Sequence, residues 1–368
     1  MRLALCGSGV VCATLLLELG IRLTWDQRQG VPGLVLGHPT RVELLAPNYR
    51  GYFAGQPLRT NNLGFRDNRD YELRKRPGVF RIVVLGDSVT FGHGCRFEET
   101  WPYLLEQSLA RWRPEVAWQV WNLGVPGYDT TLELRTLQEL GPSYQPDLVI
   151  VGFHENDVSA WGYHSKAAMP LWLYDLKWWL KRHFYLYTTL RFAYYRLKHQ
   201  RVEKETSAAY EQQLLAKPAQ VIAPYDLERM DLKHRDPHAP RPPSPSVPYE
   251  PDAAGMAACR LAVDGFKRLH REGRYPIVFF INIAPDRRGA DDSFANGVHN
   301  AMNRVFLEWL SDPTPAVSAY DAFWTYHPSE VPDAGEHSLG PANVVKADVL
   351  FTFLRERLMT GPAKERAA

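Results

Sequence analysis

Along this chain, short unbroken apolar runs alternate with longer stretches whose apolar residues recur every three to four positions. Runs of the first kind predict buried strands, and stretches of the second kind predict amphipathic helices. The strand candidates are Phe80–Leu85, Trp118–Leu123, Leu148–Phe153, Ile277–Ile283 and Ala316–Tyr320. The helix candidates are Glu99–Trp112, Thr131–Leu140, Ala253–Arg271 and Ala342–Leu358. Strands apolar on both faces, alternating with helices, predict an α/β fold with a central parallel sheet covered on both sides. Sites in such sheets form at the carboxyl ends of strands, so the residues just after each run carry the most information.

Several segments stand outside this alternation. Residues 24–78 are polar, dotted with proline and glycine, and carry only weak strand signals; they read as a turn-rich extension. The main domain then spans 79–358, interrupted by an inserted segment at 161–251, with a tail at 359–368. Within the insertion, Trp161–Gln200 is dense in aromatic and basic residues. It reads as a helical layer packed on the domain, as a cap over the site, or as a basic aromatic face resting on a membrane. Pro237–Pro251 is a proline-rich loop or linker. At the amino terminus, Arg2 precedes an apolar run from Leu3 to Leu17, broken by Glu18 and closed by Arg22. Residues 1–23 are expected to be an uncleaved signal-anchor holding an exported domain at the cell envelope. The alternatives are a cleaved signal peptide, giving a secreted or periplasmic protein, and a first helix packed on the domain.

Composition adds limits. With 368 residues, 45% hydrophobic and 23% charged, the chain can bury a large core. A net charge of +2 gives no reason to expect a nucleic-acid partner. The four cysteines, Cys6, Cys12, Cys95 and Cys259, have no zinc-site spacing and are too few in the body of the chain for a disulfide framework. HENDV (154–158) has Val158 where a His-Glu-x-x-His zinc helix has its second histidine, and GDSVTFGHG lacks the Gly-Lys-Ser/Thr end of a phosphate loop. No metal or cofactor is therefore expected.

The chemistry concentrates after the strands. The first run ends in Gly-Asp-Ser at 86–88 and then passes through Gly92 and Gly94. A serine hydroxyl is a poor nucleophile until a base takes its proton, and the resulting oxyanion needs donors. After the second run comes NLGVPGYDT, where Gly124 and Gly127 bracket a turn in which a backbone N–H can approach a ligand closely. After the third comes HENDV, where Asn156 offers a side-chain amide. His337 lies in a glycine-containing loop just before the last helix. Taken singly, each has a structural alternative: a plain Asp-Ser turn, a plain glycine turn, helix capping by Asn156 or Asp157, and a capping or solvated histidine. No Gly-x-Ser-x-Gly elbow surrounds Ser88, so the α/β-hydrolase version of a serine site is not indicated.

Together these blocks, over about 81–158 and 333–358, resemble the GDSL, or SGNH, esterase–lipase superfamily. NNLGFRD and ETWPYLLEQ look like an exported bacterial branch of it. The resemblance implies a three-layer α/β/α sandwich of flavodoxin-like topology. It implies Ser88 as nucleophile, His337 as base and then acid, and an oxyanion hole made by the backbone N–H groups of Ser88 and Gly127 with the Asn156 side chain. Two positions depart from the pattern. His154 stands where the third block has glycine, and Ala334 stands where the family has its acid, three residues before the histidine. Asp333 is one residue further away and Glu336 is adjacent, so Asp333, Glu336 or a backbone carbonyl is left to orient His337.

The expected function is a serine ester hydrolase working through an acyl-enzyme on a small-molecule, lipid or glycan ester. An O-acyltransferase for an envelope glycan would use the same site, and a non-catalytic binding module would use the same fold.

Overall fold

The computed structural model describes residues 2–25, 33–158, 171–201, 253–282, 298–326, 331 and 337–360. From the amino terminus the elements are α1 (Arg2–Thr24), β1 (Val35–His38), β2 (Val42–Leu45), β3 (Arg50–Phe53), β4 (Gln56–Arg59), β5 (Val79–Gly86), α2 (Ser88–Phe91), α3 (Trp101–Trp112), β6 (Ala117–Asn122), α4 (Thr130–Tyr144) and β7 (Leu148–Phe153). There follow α5 (Leu171–His183), α6 (Tyr185–Arg201), α7 (Ala253–Arg271), β8 (Ile277–Ile281), α8 (Val298–Leu310), β9 (Ala316–Ser318), α9 (Tyr320–Phe323) and α10 (Gly340–Thr360). They fall into two compact units: α1, β1 to β4, α5 and α6 form one, and the remaining elements form the other.

The larger unit is built on a five-stranded sheet in the order β6-β5-β7-β8-β9, every pair parallel. All five runs read as strands from the sequence are here. Alternation along them separates two faces. Ile82 and Val84 of β5, Ile150 of β7 and Phe280 of β8 meet Trp101, Leu105 and Leu109 of α3 and Val345, Leu350 and Leu354 of α10. On the opposite face Phe279 of β8 stands edge-on to Phe266 of α7, and Phe153 of β7 does the same to Phe306 of α8. The result is a three-layer α/β/α sandwich with helices on both faces of a parallel sheet.

Local chemistry sets the element ends. Asp129 caps α4 by accepting from the Leu132 amide at 2.9 Å. Helix α3 begins at Trp101, because Phe97–Glu99 forms a separate 3-10 turn in which the Glu99 carboxylate takes the Arg96 amide. Pro341 sits in the first turn of α10, where its missing N–H has no cost. Helix α8 has no counterpart among the sequence expectations. Its apolar positions Met302, Phe306, Trp309 and Leu310 have helical spacing, but they follow a polar, glycine-containing stretch that hides the start.

In the smaller unit the weak strand signals of residues 33–59 resolve into two antiparallel hairpins. In the second, Ala54 and Gly55 both have positive φ between the paired residues Phe53 and Gln56, which marks a type I′ turn. The aromatic insertion forms α5 and α6, which pack within this unit, α5 against β1 and α6 against α1. Residues 161–170 and the proline-rich Pro237–Pro251 stretch lie outside the described residues. The signal-anchor expected for residues 1–23 finds no support. No helix among the described residues is long and apolar enough to cross a membrane, and α1 is instead tied to α6 through Glu18.

Cys95 and Cys259 are both buried and free. Two buried ionisable side chains of the larger unit contrast with each other. The Arg81 guanidinium, 1% exposed, donates to the carbonyls of Glu72, Leu73 and Tyr144 and to the Gln119 side chain, and lies 3.8 Å over the Trp121 ring. Glu133 of α4 has no such partners among the described residues. Burial, with Asp157, Asp87 and Asp129 nearby, pushes its carboxyl well above the usual range, which favours the protonated form.

Two stability outcomes follow. Phe280→Ala, at a fully buried position against Trp101, is expected to lower unfolding free energy by about 3–5 kcal/mol in urea titrations. Glu133→Gln is expected to raise the melting temperature, with a larger gain at pH 8 than at pH 5. The unfolded carboxyl ionises above its ordinary pKa while the folded one does not, so stability drains away as pH rises in the parent alone.

Candidate active site

Strand β5 delivers its last residue, Gly86, to a sharp turn into α2. Asp87 caps that helix, its Oδ1 accepting from the Val89 amide at 2.8 Å. Ser88 is the first helical residue, and it is partly exposed while Asp87 and Val89 on either side are buried. Its Oγ lies 2.8 Å from Nε2 of His337, 249 positions later in the chain. The structure thus brings together the serine and histidine singled out from the sequence.

The turn is held from behind by the NNLGFRD segment. Asn61 accepts from the amides of Leu63 and Phe65, fixing the loop. Arg66 is then buried with its guanidinium 4.9 Å over the Phe91 ring, donating to the carbonyls of Phe91, Gly92 and Cys95. Desolvation lowers this guanidinium to about 10, which leaves it charged at neutral pH. The chain can pass so close here because Gly92 and Gly94 have φ of 85° and 77°.

The loop after β6 is laced to the same turn. Leu123 donates to the carbonyl of Val84 and Val125 to that of Gly86. The Asn122 side chain donates to the Thr90 carbonyl and accepts from the Gly124 amide, both at 3.0 Å. A Cβ at Gly124 would stand 2.5 Å from the Phe91 nitrogen, so only glycine allows this approach. Gly127 has φ 82°, and the space a Cβ would take is open.

After β7, residues Glu155–Val158 form a 3-10 turn. Asn156 Nδ2 donates to Asp87 Oδ2 at 2.7 Å. This contact fixes the plane of the amide group. Asp157 accepts from the His154 amide at 2.7 Å and is buried, its pKa raised by desolvation first and by Asp87 next. His154, standing at the glycine position of the family pattern, is buried with Nδ1 4.0 Å from Asp87 Oδ2.

The histidine loop has its own fastenings. Cys95 donates its thiol hydrogen to the Ser338 carbonyl at 3.1 Å, and Asn343 Nδ2 donates to the Glu99 carbonyl at 3.0 Å. The imidazole of His93 stacks on that of His337, centroids 4.1 Å apart and planes 19° apart. Among the described residues, His337 Nδ1 has no hydrogen-bond partner. Asp333, Ala334 and Glu336 lie outside the described residues. Burial pushes His337 down to about 2, with His93, His154 and Lys346 adding to the effect, and burial pushes His93 down to about 4. Both rings are therefore neutral at neutral pH.

Five residues of this arrangement were not singled out from the sequence as functional: Arg66, His93, Cys95, Asn122 and Asn343. Arg66 lies in a segment marked only as turn-rich, and Asn343 is, with Lys346, a buried polar residue of a largely apolar helix, which is a usable signal. Among the described residues no group of three or more His, Cys, Asp or Glu is arranged to hold a metal ion.

A 77-residue stretch is 34% identical to an arylesterase of Vibrio mimicus, covering 21% of this chain and 38% of that relative's length. Among solved structures, the chain is similar to the psychrotrophic esterase EstA of Pseudoalteromonas sp., seen inhibited by monoethylphosphonate. That match has 12% identity and a TM-score of 0.39, over 76% of this chain and 99% of that one. It is also similar to a two-domain esterase active on acetylated mannans, with 12% identity and a TM-score of 0.34, over 76% of this chain and 49% of that one. Residues 84–330 match the GDSL-like Lipase/Acylhydrolase family from the end of β5 onward, and the chain belongs to that family.

Proposed function

We propose that this protein hydrolyses an ester of a small-molecule, lipid or glycan alcohol through an acyl-enzyme on Ser88. The observation that carries the reading is the 2.8 Å contact between Ser88 Oγ and His337 Nε2 at the carboxyl end of the central strand. Family membership supports the reaction class.

In the proposed cycle, His337 Nε2 takes the hydroxyl proton as Ser88 Oγ bonds to the acyl carbon. The carbonyl oxygen becomes an oxyanion beside the backbone N–H groups of Ser88 and Gly127 and the Asn156 side chain. As the C–O bond to the alcohol breaks, the imidazolium returns its proton to the leaving oxygen. Water then attacks the acyl-enzyme, giving its proton to His337, and Ser88 leaves with that proton restored. Asp333, with Glu336 or a backbone carbonyl as the alternatives, would steady the imidazolium from Nδ1. The open space beside Gly127 and the Asp87-held amide of Asn156 both support the oxyanion assignment.

A neutral imidazole is the form a general base requires. Because burial keeps His337 neutral well below the ordinary histidine range, the base stays available in mild acid. The same depression weakens the fold there. Unfolded His93 and His337 take up protons below about pH 6.5, while the folded rings do not until far lower pH, so stability falls with pH in that window.

A fluorophosphonate is expected to add once to the full chain, with the adduct absent from Ser88→Ala and His337→Ala by intact mass. A folded parent that takes no adduct would remove the acyl-enzyme reading. On a turned-over ester, Asn156→Ala is expected to lower kcat by about 10²–10³-fold; parent-like turnover would remove Asn156 from the oxyanion site. The kcat/KM of the parent is expected to stay level from pH 8 to pH 5.5 while its melting temperature drops. An inflection near pH 6.5 would mean that the base is not the buried ring described here.

A further inference from the structure

The polarity of α1 is inside out. Its one acid, Glu18, is 6% exposed, while Val10, Val11, Leu15, Leu16, Leu17, Leu19 and Leu23 are 52–78% exposed. The helix is fastened to its neighbour by its polar groups. The Glu18 carboxylate accepts from the Tyr185 and Leu186 amides at 3.1 and 2.8 Å, filling the donor-rich first turn of α6. Arg22 pairs with Glu18 at 2.7 Å, donates to the His183 carbonyl and lies 5.1 Å over the Tyr185 ring. Trp25 meets the same ring edge-on at 5.3 Å. None of these fastenings uses the leucines.

The other helices of this unit add to the same kind of surface. Trp172, Leu176 and Trp179 of α5 and Leu190 and Tyr194 of α6 are exposed. So many large exposed apolar side chains on one unit exceed the scattered few normal on a protein surface, and they mark an interaction site. Charge identifies the occupant. Residues 171–201 contain seven Lys or Arg and a single acid, Asp175. A second copy of this basic segment would bring like charges together. Anionic head groups would be complemented, and Trp and Tyr are the side chains suited to the head-group layer.

We infer that the exposed apolar side chains of α1, α5 and α6 seat this unit on an anionic bilayer, with the leucines and tryptophans in the acyl boundary. Membrane contact of this kind needs no spanning helix. Glu18 explains how it is compatible with a carboxylate in an apolar helix: the charge points inward, where two amides and a guanidinium satisfy it. The inference is independent of the ester chemistry.

The test is flotation of the full chain, purified in mild detergent and freed of it in the presence of vesicles. The parent is expected to float with phosphatidylcholine–phosphatidylglycerol vesicles. The floated fraction is expected to fall at least ~10-fold for Leu16→Asp/Leu19→Asp and for Trp172→Asp/Trp179→Asp. These positions face outward, so melting temperatures in detergent are expected to match the parent, and a variant that fails this control is replaced by the corresponding Asn pair. A parent that stays unbound on anionic vesicles overturns the inference without any variant. So does a lipid-free dimer that the same substitutions dissociate, which would make a second copy the occupant. Equal flotation with pure phosphatidylcholine would overturn the assignment of the basic helices to anionic head groups.

Discussion

The site depends on the carboxylate of Asp87. It stands between two strand ends and is bonded to both sides: Oδ1 holds the first turn of α2 through Val89, and Oδ2 holds the side chain of Asn156 at the end of β7. A buried carboxylate is costly unless its oxygens are satisfied, and here the donors that satisfy it are those whose placement the site requires. The helix that begins at Ser88 and the amide at the end of the neighbouring strand are thereby tied together. The parallel registers do the coarse part of this work, setting Gly86 opposite Gly152 so that the two turns begin side by side.

Around that joint, polar side chains act on main-chain atoms far more than on one another. Arg66 takes three carbonyls of the α2 turn, Asn122 joins the Thr90 carbonyl to the Gly124 amide, and Asn343 reaches the Glu99 carbonyl. Loops carry such sites because a strand end alone leaves its amides and carbonyls unpaired, and buried backbone groups must find partners. The side chains that supply those partners also fix the loop's shape, so satisfaction and preorganisation are one arrangement.

The sheet was legible because its strands are buried on both faces. An unbroken run such as Ile82–Leu85 has few other physical readings when helices flank it, and Leu148–Phe153 was read with the same bounds it has in the structure. Ser88 and His337 were legible for a different reason: a glycine-bounded serine after a strand and a late loop histidine match a family pattern. What sequence could not show was contact between residues far apart in the chain. Arg66 looks like any surface arginine until the turn it clamps is in place, and His93 looks like a spacer between two glycines until the ring of His337 lies against it. The hairpins of residues 33–59 were faint because their strands have four residues each and mixed burial, which leaves little alternation to read.

Cys95 carries one more consequence. Its thiol is buried, and desolvation raises it to about 12, so it remains a hydrogen-bond donor to Ser338 and almost never becomes the nucleophilic thiolate. The clasp between the first turn and the histidine loop is therefore chemically silent while closed. Oxidants and electrophiles have no route to a sulfur that is wholly buried, so modification of this one atom would report that the contact between the first turn and Ser338 had been broken.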